Sequence, residues 1–113
     1  MEKEEIEKKK AHVIVQIVDY IPDAVLSKTI IKRATGNVTV SSLDAGEEVE
    51  EKASAFDNYI QIIDGAAEIT IGDKKIFLKL GEGIVIPANA KHSFCANEKF
   101  KMISTIIKSG YED

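Results

Sequence analysis

The chain has 113 residues, enough for one domain and too few for two of ordinary size. Hydrophobic residues make up 44% and charged residues 30%, a balance that suits a globular chain rather than a disordered one. With a formal charge of -4 and no basic run along a helix face, the chain offers no nucleic-acid surface, and no apolar stretch approaches the ~18–20 residues of a membrane span.

The charge is not spread evenly. The first ten residues carry four Glu and four Lys, which cancel. Residues 44–51 carry five acids, Asp44, Glu47, Glu48, Glu50 and Glu51, and no base. The apolar run around Val13–Val18 is short, is broken by Gln16 and follows a mixed-charge decapeptide, which makes it a poor signal peptide. A single cysteine, Cys95, excludes an intrachain disulfide and a multi-cysteine metal site, so a cytoplasmic location is expected.

In chain order, residues 1–11 read as a charged extension, an exposed helical turn or frayed tail, with Glu4/Lys8 and Glu5/Lys9 as weak i,i+4 pairs. Residues 12–113 read as the single domain. Val, Ile and Thr then recur in short runs separated by Gly, Asp, Asn and Pro, the pattern of strands and turns. The spacing predicts strands near 12–17, 25–33, 37–44, 57–63, 66–72, 74–79, 83–86, 91–96 and 99–108. Glu68-Ile69-Thr70-Ile71 and Lys75-Ile76-Phe77-Leu78-Lys79 alternate cleanly, with Gly72-Asp73 as a two-residue hairpin turn between them. Further turns fall at Pro22-Asp23, Thr35-Gly36-Asn37 and Asp64-Gly65. The acidic stretch Glu47–Glu51 reads as a solvated loop or a lid at a cavity mouth. Such a set of strands predicts an all-β antiparallel sandwich, jelly roll or small barrel.

Two segments narrow the fold. One runs from Gly46 through Lys52, Ser54 and Asn58 to Gly65. The other is Gly81-Glu-Gly-Ile-Val-Ile-Pro87-Ala-Asn89-Ala-Lys-His92-Ser-Phe-Cys-Ala96. Together with the hairpin between them they resemble the cupin superfamily, in particular its small stand-alone cupin 2 barrels. The two motifs of that superfamily are written G-x5-H-x-H-x3-4-E-x6-G and G-x5-P-x-G-x2-H-x3-N. The resemblance spans roughly residues 37–107. Gly46, Gly65, Gly81, Pro87 and His92 fall in register, and Asn89 stands where a glycine is expected, a substitution compatible with positive φ.

The resemblance implies a jelly roll, or double-stranded β-helix barrel, with inward His, His, Glu and His holding a divalent transition metal. Here Lys52, Ser54 and Asn58 occupy the first three ligand positions, and His92 alone is retained. The motif is therefore degenerate. The leading expectation is a barrel that binds a small polar, possibly anionic, molecule without a metal cofactor, through Lys52, Ser54, Asn58, His92 and Met102. One alternative is a metal-dependent oxygenase or isomerase with a rearranged ligand set of His92 and Glu51. Another is a non-catalytic structural or regulatory dimer. Small cupins are commonly dimers, so the resemblance also implies a homodimer. Cys95 lies an odd number of strand residues from His92, which places it on the opposite face as a packing residue rather than a nucleophile.

Overall fold

The computed structural model describes residues 5–51 and 53–111. It contains a single 3-10 turn, Ile14–Gln16, and nine strands: β1 (Val25–Arg33), β2 (Gly36–Leu43), β3 (Glu48–Glu51), β4 (Asn58–Asp64), β5 (Ala67–Ile71), β6 (Lys74–Leu78), β7 (Gly83–Ile86), β8 (His92–Cys95) and β9 (Phe100–Ile107). They form two antiparallel sheets, a five-stranded one in the order β1-β2-β9-β4-β7 and a four-stranded one in the order β3-β8-β5-β6. This is the expected all-β jelly-roll arrangement.

Between the sheets lies the core. Leu43, Ile60, Ile62, Ile69 and Phe100 are completely buried, and Phe94 and Ile86 are nearly so. Each such side chain contributes about 1.5–3 kcal/mol by leaving water. Alternation delivers them inward: Ile60 and Ile62 of β4 face the core, while Tyr59 between its buried neighbours is exposed. The hairpin at Gly72-Asp73 pairs Ile71 with Lys74, as predicted, and Gly72 takes the positive φ of 62° that the turn needs. Gly65 also has positive φ, 69°, and a Cβ there would stand 2.2 Å from the Lys99 carbonyl oxygen, so both conformation and space demand glycine. Asn89 takes positive φ, 69°, in the place of the expected motif glycine.

Three expectations are corrected. Residues 12–17 do not form a strand. They include the 3-10 turn and belong to a segment that lies against the outer face of the five-stranded sheet. Lys101 Nζ donates to the Val15 carbonyl at 2.6 Å, Ser42 Oγ donates to the Asp19 carbonyl at 2.8 Å, and Val18 is buried. The reason lies in β2, where Val40 faces away from the core yet is completely buried, so that face needs cover. Second, no helix is present among the described residues 5–10. Glu4 lies outside the described residues. Lys9 has a φ of 64°, and Glu5 binds Arg33 at 2.8 Å and the Lys32 amide at 2.7 Å. Third, Glu48–Glu51 is a strand. Its three acids disfavour one, but β8 supplies a complete ladder, Glu48↔Cys95 through Glu51↔His92.

Candidate functional site

The ladder between β3 and β8 sets two side chains directly opposite each other. Val49 and Glu51 on β3, like His92 and Phe94 on β8, turn toward the space between the sheets. His92 Nε2 lies 2.7 Å from Glu51 Oε1, and His92 Nδ1 donates to the Ala90 carbonyl at 3.2 Å. The ring packs edge-on against Phe94, with centroids 5.6 Å apart at 87°. Only 4% of the His92 side chain is exposed, against 44% for Glu51. A carbonyl oxygen can only accept, so Nδ1 carries a proton. The short contact from Nε2 to the carboxylate engages the second ring nitrogen.

Two spaces meet at this pair. A groove of about 530 Å³ outside is lined by Glu50, Glu51, Thr70, Lys91, His92 and Ser93. An inner cavity of about 180 Å³ lies between the sheets, and Glu51 lines it as well. One wall of the inner cavity is polar and comes from successive inward positions of β2, Asn37, Thr39 and Ser41, joined by Ser27, Asn58 and Ser104. Ile60, Phe94, Met102 and Ile106 form the apolar remainder. The polar groups are already organised: Ser104 Oγ donates to Asn58 Oδ1 at 2.7 Å, and the Ser27 and Ser41 hydroxyls are 2.8 Å apart. Among the described residues, no buried side-chain nitrogen or oxygen lacks a hydrogen-bond partner.

Of the residues singled out from sequence, Asn58 and Met102 line the inner cavity, while His92 lines the groove and reaches the inner cavity through Glu51. Ser54 does not join them. It sits in the loop before β4, where its hydroxyl accepts from the Phe56 amide at 3.1 Å and its carbonyl accepts from the Asn89 amide. Lys52 lies outside the described residues. Cys95 faces away from His92, and burial, with Glu48 and Glu68 on the neighbouring strands, pushes its thiol up and keeps it protonated. The hydroxyl wall from Ser27, Asn37, Thr39, Ser41 and Ser104 was not anticipated. Its signal was the period-two polar set Asn37, Thr39, Ser41, which reads as a solvent face in an ordinary strand.

Compared with solved structures, the chain is similar to a conserved protein of unknown function from Streptococcus pyogenes, with 35% identity over 93% of this chain and 92% of that one and a TM-score of 0.87. A cupin superfamily protein from Desulfitobacterium hafniense matches with 23% identity over 95% of this chain and 97% of that one, TM-score 0.83. A cupin 2 conserved barrel domain protein from Leptotrichia buccalis matches with 26% identity, TM-score 0.80, over 83% of this chain and 46% of that one. The chain belongs to the cupin superfamily. No family model and no curated protein matches it.

The cupin motifs assign metal ligation to positions 52, 54, 58 and 92, of which position 52 lies outside the described residues. The donors described here do not fit that role. Ser54 is engaged in its loop, Asn58 already accepts from Ser104, and both His92 nitrogens face acceptors. Among the described residues, no group of three or more His, Cys, Asp or Glu side chains could hold a metal ion. Glu51 and His92, the rearranged pair considered from sequence, bond to each other. No helix among the described residues is long and apolar enough to cross a membrane.

Proposed function

We propose that this cupin binds a small polar molecule in the cavity between its sheets, without the standard metal site. The observation that carries this reading is the wall of hydroxyl and amide groups held inside the fold, with Ser41 and Asn58 only 7% and 6% exposed. Groups of this kind are costly to bury and gain when a ligand completes their hydrogen bonding. The cavity volume, 180 Å³, corresponds to about six liquid-water volumes and suits a small metabolite rather than a polymer. A thermal-shift screen of small polar metabolites, run beside metal analysis of protein purified without chelators, tests the proposal. Saturable stabilisation by a metal-free protein supports it. A stoichiometric tightly bound transition metal overturns it in favour of a metal-dependent oxygenase or isomerase.

We further propose that the chain acts as a homodimer. Support comes from a cross-strand row on the outer face of the five-stranded sheet, Ile31↔Val38↔Thr105↔Tyr59↔Val85, which carries no charge. Ile31, Tyr59, Val85 and the nearby Ile107 are exposed. A cytosolic site of action fits the lone, protonated Cys95.

A further inference from the structure

The cavity reading leaves open which group meets the ligand and what that ligand is. The sequence points to His92, but the geometry points away from it. Nδ1 is committed to the Ala90 carbonyl and Nε2 to Glu51, and the ring is almost fully covered. His92 has no nitrogen left to offer. Glu51 is the reverse case. Its Oε1 is held by His92, the carboxylate makes no bond to any other described residue, and the side chain lines both the groove and the inner cavity.

We propose that Glu51 is the recognition group of the cavity, that it accepts a hydrogen bond from the ligand through Oε2, and that His92 is a positioning residue that aims it. The proposal rests on the cavity being a binding site and names the ligand's chemistry: a small neutral molecule with hydroxyl or amide donors, such as a polyol, rather than a carboxylate or phosphate. Two observations select that class. Glu51 is the only ionisable group among the described residues lining the inner cavity, so an anion would meet a carboxylate there and no described cation. Apart from Glu51, the described lining of the inner cavity is made of uncharged hydroxyl, amide and apolar groups, so a neutral guest with hydroxyl or amide donors finds partners along the polar wall as well as at the carboxylate. Asn58, Ser41 and Ser104 then supply donors and acceptors to the guest's remaining hydroxyls, and Phe94 and Met102 cover its carbon skeleton.

Four probes test this on the full chain by proton–nitrogen correlation spectra: glycerol, propane-1,2-diol, acetate and inorganic phosphate, read at the backbone amides of Ser41, Asn58 and Ser104. The two alcohols should shift these amides saturably and the two anions should not. Glu51→Ala should weaken glycerol binding about tenfold or more, the scale for a lost hydrogen bond to a charged group. Glu51→Gln keeps the shape and gives a sharper readout. With its oxygen facing His92, its amide NH2 turns to the cavity, so acetate should now shift the reporter amides. His92→Gln, which can still donate to Glu51, should retain more glycerol affinity than His92→Ala. If acetate or phosphate binds the wild-type cavity, or if Glu51→Gln keeps the wild-type preference, this assignment is wrong while the cavity reading stands. If all four probes leave the amides unmoved, the cavity reading falls and takes the assignment with it.

Discussion

Glu51 and His92 are cross-strand partners whose 2.7 Å bond joins a nearly buried imidazole to a half-exposed carboxylate. The asymmetry predicts unequal mutational costs. His92→Ala removes a charge-assisted bond, the bond to Ala90 and the edge contact on Phe94, and leaves a cavity beside the core. It should cost about 2–4 kcal/mol in urea unfolding. Glu51→Gln keeps a hydrogen-bonding partner for the ring and should cost under about 1 kcal/mol. Equal costs would mean that the imidazole is not held as described.

Gly65 and Gly72 separate backbone strain from steric overlap. Both have positive φ, but a Cβ at Gly72 meets open space while one at Gly65 would fall 2.2 Å from the Lys99 carbonyl. Gly72→Ala should cost about 1–2 kcal/mol, the price of the left-handed conformation. Gly65→Ala must also displace the chain entering β9 and should cost clearly more, about 3 kcal/mol or above. Equilibrium unfolding of the two variants checks the order, and the reverse order would contradict the turn geometry.

The tie between the N-terminal segment and the sheet gives a pH prediction. Tyr20 donates to Asp64 Oδ2 at 2.6 Å, and burial, followed by that bond and the Asp64 and Glu98 charges, holds the phenol well above the ordinary tyrosine range. A phenol whose folded pKa is raised binds its proton more tightly folded than unfolded. Its contribution is complete below the unfolded value and is lost as pH rises from there toward the folded one. Stability should therefore fall above about pH 10, and Tyr20→Phe should flatten that decline. An alkaline limb unchanged in Tyr20→Phe would show that another group is responsible.

Much of the fold was legible because the pattern of apolar runs and turn residues fixes strands locally. β1 and β7 fall on the residues predicted. What local pattern could not supply was pairing. β3 is strand only because β8 lies beside it, since Glu48, Glu50 and Glu51 would otherwise favour solvent. The same ladder brings Glu51 to His92 across 41 residues, so their partnership was invisible without the register. β2 misleads for a related reason. Its polar residues Asn37, Thr39 and Ser41 face inward to the cavity and Val40 faces outward, buried on the face where the N-terminal segment docks. An inverted strand looks ordinary until it is known which face is the interior.

That docking can be tested at Lys101. The residue lies on the outer face of β9, 7% exposed, with Nζ 2.6 Å from the Val15 carbonyl and 4.7 Å from the centre of the Tyr20 ring. Lys101→Met keeps most of the stem and removes the donor and the cation–π contact, worth about 1–3 kcal/mol together. Amides of residues 15–20 should exchange faster by roughly tenfold or more, while those of β4 and β5 should be unaffected at low denaturant. A uniform acceleration would mean that the segment is not a separable cover.

The proposed dimer makes the last prediction. Tyr59 stands in the uncharged row between Val85 and Thr105, with its side chain over Gly83. At 42% exposed it can take a charge without disturbing the core behind it. Tyr59→Glu should halve the mass measured by light scattering, because an unpaired carboxylate buried in an apolar contact costs several kcal/mol. Lys75→Glu, on the outer face of the four-stranded sheet, should leave the mass unchanged. A wild-type chain that is monomeric at 100-micromolar concentration, or a Tyr59→Glu variant as dimeric as the wild type, removes this face from consideration.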